Sequence, residues 1–115
     1  MSGKNIGGPW WRVSTDLKNL CEDARFWTDL RKEPPDEIAV RYHYRLVSIH
    51  PFPNGNGRHA RLMTDLLLEN ILDHPRFTWG STDLSKTSGP RERYIAALHA
   101  ADNFNYQLLL EFVRS

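Results

Sequence analysis

One stretch of this chain gathers residues whose chemistry converges: His50-Pro51-Phe52-Pro53-Asn54-Gly55-Asn56-Gly57-Arg58-His59-Ala60-Arg61. Gly55 and Gly57 carry no Cβ, so the backbone can turn sharply there and bring its N–H groups close to a ligand. If a helix starts at the turn, those amides and the positive end of the helix dipole form a concavity suited to phosphate oxygens. Arg58 and Arg61 stand three apart in the first turn, as neighbours on the helix surface. Each guanidinium is a planar fork that matches phosphate geometry. A helix dipole disfavours cations at its N-terminus, so two arginines there point to a bound anion rather than to helix stability. His50 stands at the other end of the loop, fixed by Pro51 and by burial of Phe52. An imidazole titrates near neutral pH and suits the removal of a proton from a hydroxyl. The set as a whole supports transfer of a phosphate-containing group onto an attacking hydroxyl.

Two helices must hold these groups. Pro34-Pro35 breaks the chain and then starts a helix, since proline suits the first helical position and the residue before it avoids helical backbone. Asp36 and Glu37 place negative charge where the dipole favours it. This helix is predicted from Pro35 to Ser48, with Ile38, Tyr42, Leu46 and Ile49 facing inward. A third helix is predicted from about Gly57, carrying Leu62, Met63, Leu66, Leu67 and Ile71 inward and stopping before Pro75. Ahead of these, Ser14, Thr15 or Asp16 can cap a first helix in which Leu17, Leu20, Cys21, Ala24, Trp27 and Leu30 follow at three- and four-residue spacing, ending near Lys32. Residues Pro75 to Gly89 read as a loop with a turn around Asp83 to Lys86. Helical spacing returns from Pro90 to Ala101 through Tyr94, Ile95 and Leu98. Asp102 and Asn103 then offer a cap for a last helix with Phe104, Leu108, Leu109, Phe112 and Val113 inside. The first nine residues read as extended, with room for a hairpin, and the class is all-α.

Composition narrows the partners. The chain has 115 residues, enough for one domain. Fifteen Lys+Arg meet 14 Asp+Glu for a net charge of +1, which leaves no broad basic face for a nucleic acid. One cysteine excludes an internal disulfide and a cysteine zinc site, and makes a reduced cytoplasmic setting the expectation. No apolar run reaches the roughly 20 residues a membrane helix needs, so no membrane partner is expected. Among the other side chains, His43 and His59 read as solvent-facing, and neither they nor His74 and His99 show the spacing of a helical zinc site. Trp10, Trp11, Trp27 and Trp79 read as packing or rim residues, Tyr42 as core, Tyr44 as exposed and Cys21 as a buried filler. Arg91 and Arg93 read as a solvated helix start.

The central stretch resembles the Fic domain signature, His-Pro-Phe-x-(Asp/Glu)-Gly-Asn-Gly-Arg-x-x-Arg. Eight fixed positions are met, by His50, Pro51, Phe52, Gly55, Asn56, Gly57, Arg58 and Arg61. At about one chance in twenty per position, accidental agreement is negligible. Arg45 to Ile49 and Leu62 to Leu68 also look like the family's two central helices. Pro53-Asn54, Arg76-Phe77-Thr78-Trp79-Gly80 and Arg93 to Leu98 are most similar to the subgroup called mobile mystery protein B.

The resemblance implies a Fic-type helical bundle and transfer of AMP from ATP to a hydroxyl side chain of a target protein. His50 would be the general base that activates the target Ser, Thr or Tyr, with Phe52 anchoring the loop. Gly55, Asn56 and Gly57 would surround the nucleotide phosphates, and Arg58 and Arg61 would hold the phosphates that leave. Asn5, Ile6, Gly7 and Gly8 would belong to a flap over residues 1–13 that pairs with an incoming peptide as an added strand. Residues 14–115 would be the helical core, and the family's usual N-terminal helices would be missing from this stretch. The inhibitory string (Ser/Thr)-x-x-x-Glu-(Gly/Asn) is not found, because Thr64 precedes Glu69-Asn70 by one residue too many. Restraint would then come from a partner chain or from sequence outside this stretch. The same scaffold also accommodates transfer of another nucleotidyl or phosphate group. A third reading is a catalytically weak nucleotide-binding module of a toxin–antitoxin-like pair.

Asn54 stands where the family usually has a carboxylate that binds Mg²⁺. An amide oxygen can ligate the ion but brings no charge, so metal binding should be weakened. Asn54→Asp is therefore expected to raise transferase activity at limiting Mg²⁺. Equal rates for the two proteins across a magnesium titration would contradict this.

Overall fold

The computed structural model describes residues 10–51, 55–81 and 89–115. Five helices make the fold: α1 (Trp10–Leu30), α2 (Pro35–Ile49), α3 (Asn56–Asn70), α4 (Gly89–Ala101) and α5 (Gln107–Val113), with one 3-10 turn at Trp79–Ser81. The all-α expectation holds, and no strand occurs among the described residues. The expected N-terminal hairpin, the flap residues Asn5, Ile6, Gly7 and Gly8, the loop residues Phe52, Pro53 and Asn54, and the turn at Asp83 to Lys86 lie outside them.

α2 is the central element. Pro35 opens it, Asp36 and Glu37 occupy its first turn, and Ile38, Ala39, Val40, His43, Leu46 and Ile49 are buried. Two apolar clusters form around it. The larger joins its first half to α3, the 3-10 turn, α4 and α5 through Ile38, Val40, Leu68, Trp79, Tyr94, Leu109 and Phe112. The smaller joins Leu46 and Ile49 to Leu20 of α1 and Ala60 of α3. Ile49 directly precedes His50, and Ala60 lies within a turn of Gly57, so this second cluster braces both ends of the motif loop. Arg114 ties the C-terminus to the start of α2 through two hydrogen bonds to the Asp36 carboxylate, at 2.9 and 2.7 Å.

Several expectations need correction. α1 begins at Trp10, four residues before Ser14, so the boundary expected at residue 13 falls inside a helix. The reason is packing: Val13 joins Leu17 and Leu20 on the second cluster, which extends the helical repeat one turn back. On α3 the inward residues are Ala60, Thr64, Leu67 and Leu68, whereas Leu62 is 58% and Ile71 53% exposed. Small side chains at positions 60 and 64 let α3 approach α2 closely, and the leucines alone gave no hint of that. Leu66 and Ile95 are likewise exposed. Phe104 precedes α5 and is 85% exposed, and the Oδ1 of Asn105 accepts the Gln107 amide in the place expected for an Asp102 or Asn103 cap. Cys21 is exposed.

The largest surprise is His43, which is fully buried rather than solvent-facing. Burial first, and then the positive charge of Arg61, push its pKa down from 6.5 to about 3. The folded protein therefore holds this imidazole neutral while an unfolded chain protonates it below pH 6.5. Stability from this group is complete above pH 6.5 and is lost as pH falls toward 3. The slope is at most about 1.4 kcal/mol per pH unit, or about 2 kcal/mol between pH 6.5 and pH 5. Urea unfolding should show that loss between pH 7 and pH 5. Equal unfolding free energies at the two pH values would contradict it.

Candidate active site

His50 follows the last residue of α2 and adopts left-handed backbone, with φ 55° and ψ 60°. Helices commonly end on a residue in this conformation, but usually a glycine. A histidine there costs roughly 1–2 kcal/mol, a strain that proteins hold mainly where a side chain must be aimed. Its Nδ1 lies 2.9 Å from the Val47 carbonyl oxygen. A carbonyl can only accept, so Nδ1 carries the hydrogen and the neutral ring leaves a lone pair on Nε2. His50 is half-buried and borders a groove of about 530 Å³ between α2 and α4, whose walls include Tyr44, Val47, Ile95 and Leu98.

Gly55 also adopts left-handed backbone, with φ 73°, and starts α3 with no side chain capping it. Left-handed backbone suits glycine, and a glycine at this position has no side chain of its own to accept the first-turn amides. Asn56 is buried in the first turn. Both arginines fold back over this turn. A Cβ placed on Gly55 would lie 3.9 Å from an Arg58 Nη, and one on Gly57 would lie 3.3 Å from an Arg61 Nη. The first turn of α3 contains no acidic residue. Glycine backbone, helix N-terminus and two guanidiniums thus form one positive surface that any larger side chain at position 57 would crowd.

The structure accordingly brings Gly55, Gly57, Arg58 and Arg61 together, with His50 across the loop at the end of the preceding helix. Asn54 lies outside the described residues. Among those that are described, no three of His, Cys, Asp and Glu gather as a metal site. The described turn offers guanidiniums and backbone amides, a donor set for an anion.

The Fic/DOC family profile matches residues 7–68, a span that contains every position of the signature. The chain belongs to the Fic/DOC family. A protein adenylyltransferase of Caenorhabditis elegans is 31% identical over 90 residues, which cover 78% of this chain and 16% of that protein. One from Nematostella vectensis is 51% identical over 57 residues, 46% of this chain and 13% of its own length. A Fido domain-containing protein of Dictyostelium discoideum is 33% identical over 92 residues, 80% of this chain and 59% of that protein. This Fic/DOC chain therefore spans less than a fifth of either adenylyltransferase. No solved structure gives a significant match. No helix among the described residues is long and apolar enough to cross a membrane.

Two buried polar side chains near Arg61 were not singled out from the sequence. His43 and Tyr94 are buried against each other beneath Arg61, with 2.7 Å between Nε2 and the phenol oxygen. One signal was available: Ala39, His43 and Leu46 recur at four- and three-residue spacing, which puts His43 on the inner face of α2.

Proposed function

We propose that this chain is the core of a protein adenylyltransferase that moves AMP from ATP to a hydroxyl side chain of a target protein. The observation that carries this reading is the pair of guanidiniums folded over a helix that starts at a left-handed glycine. A triphosphate is the ligand whose charge and fork-shaped oxygens match that surface. Gly55, Asn56 and Gly57 take the phosphate oxygens, and Arg58 and Arg61 hold the two phosphates that leave. In the transfer, the target oxygen attacks the α-phosphorus while the Nε2 of His50 takes its proton. The bond from the α-phosphorus to the bridging oxygen breaks, and pyrophosphate departs with its added charge spread over the two guanidiniums. The Nδ1–H···O bond to Val47 supports the role of base, because it fixes the tautomer that has Nε2 available.

The similarity to adenylyltransferases of C. elegans and N. vectensis supports the same activity. In the subgroup reading, Arg76 to Gly80 and Arg93 to Leu98 support membership of the mobile mystery protein B set. Asn5, Ile6, Gly7 and Gly8 are proposed to receive the target peptide. Asn54 favours a second reading, in which a scaffold short of a metal-binding charge binds nucleotide but transfers slowly, under an inhibitory partner chain.

Labelled ATP separates these readings. Label from the α-phosphate is expected to enter acceptor protein with the wild type and to fall at least a hundredfold with His50→Ala, the lower end of a positioned base's contribution of about 10²–10⁴. Label entering only from the γ-phosphate would overturn AMP transfer in favour of phosphate transfer. Binding of ATP with no transfer from either position would support the slow-module reading.

A further inference from the structure

The buried polar groups beneath the arginines form a chain of hydrogen bonds with a single direction. The Thr64 hydroxyl donates to the Ala60 carbonyl at 2.7 Å, so its oxygen is left to accept. The Nδ1 of His43, 3.2 Å away, must then be the donor to it. That assignment leaves Nε2 as an acceptor, and the Tyr94 hydroxyl donates to it at 2.7 Å. With its hydrogen committed, the phenol oxygen can only accept on its other side. The Arg61 guanidinium, which can only donate, lies against the Tyr94 ring, 5.8 Å from its centroid, and its charge acts on the phenol against the effect of burial.

Every link is locked by packing. The His43 ring lies 4.6 Å from the Trp79 ring, and the Trp79 indole N–H is bound by the Asp65 carboxylate at 3.2 Å. The Tyr94 ring sits 5.5 Å from that of Phe112. The chain draws on α2, α3 and α4 and ends at one of the two arginines of the glycine turn. The difference shows in exposure: Arg61 is half-buried, whereas Arg58 is exposed.

We propose that His43 and Tyr94 are positioning residues that hold the Arg61 guanidinium in place before any phosphate arrives. This rests on the phosphate-binding role given to Arg61 above. A long side chain ordered in advance loses less freedom when it meets its ligand, and loss of that ordering should cost up to about tenfold in affinity. Tyr94→Phe is the conservative test, since it removes the hydroxyl and keeps the ring that fills the core.

Two measurements are needed on wild type, Tyr94→Phe and Arg61→Ala. The first is the affinity for ATP against that for AMP, which lacks the phosphates assigned to Arg61. The second is the NMR signal and hydrogen exchange of the Arg61 Nε–H in protein without nucleotide. Tyr94→Phe is expected to weaken ATP by up to about tenfold while leaving AMP unchanged, and to abolish the protected Arg61 signal. An Arg61 signal that persists in Tyr94→Phe overturns the positioning role. Equal weakening of ATP and AMP also overturns it, because damage to the core alone would act on both. An unchanged ATP preference in Arg61→Ala sinks the phosphate reading and the proposal's function with it, and the nucleotide-free signal then still shows whether Tyr94 orders Arg61.

Discussion

Two positive side chains at the positive end of a helix are the constraint around which the rest of the molecule is organised. Arg58 and Arg61 occupy the first turn of α3, where the dipole opposes them and no acidic residue shares the turn. Without a bound anion that arrangement costs stability, and it is maintained by the packing beneath it. Ala60 lies on the same turn and is fully buried against Leu46, Ile49 and Leu20, so the helix start cannot fray without opening the second cluster. The repulsive end of α3 is thus held rigid by its own inner face.

The same packing places the other half of the chemistry. Ile49 anchors the end of α2 in that cluster, and His50 follows it in strained left-handed backbone. A frayed helix end would relax this strain; one held by the contacts of Ile49 does not. The bond from Nδ1 to the Val47 carbonyl uses the end of α2 itself to set the tautomer. Helix ends therefore supply both an acceptor for the histidine and donors for an anion.

How much of this was legible in the sequence depends on what each residue reports. Pro34-Pro35 and the acidic pair after it placed the start of α2 correctly, because backbone restriction and dipole are local effects. The glycine turn and the start of α3 were legible for the same reason. Of the inner face of α3, only Met63 and Leu67 were legible. Its leucines outnumber its small residues, yet Ala60 and Thr64 point inward, since contact between helices is set by how closely their backbones approach. His43 was missed because a lone histidine is usually exposed, and only the partners supplied by Thr64 and Tyr94, far away in sequence, make its burial tolerable. The early start of α1 depended on Val13 finding a place in the second cluster, a long-range contact with no local signature.

Where a triphosphate settles decides whether the glycine turn is the nucleotide site. Backbone amide shifts recorded while ATP is titrated into the isotope-labelled chain answer this directly. The account predicts that the largest changes fall on Gly55, Gly57 and Arg58, that they exceed those caused by AMP, and that they vanish in the Arg58→Ala, Arg61→Ala double variant. Shifts that leave this turn untouched and gather instead on the groove between Trp27 and Tyr106 would contradict it.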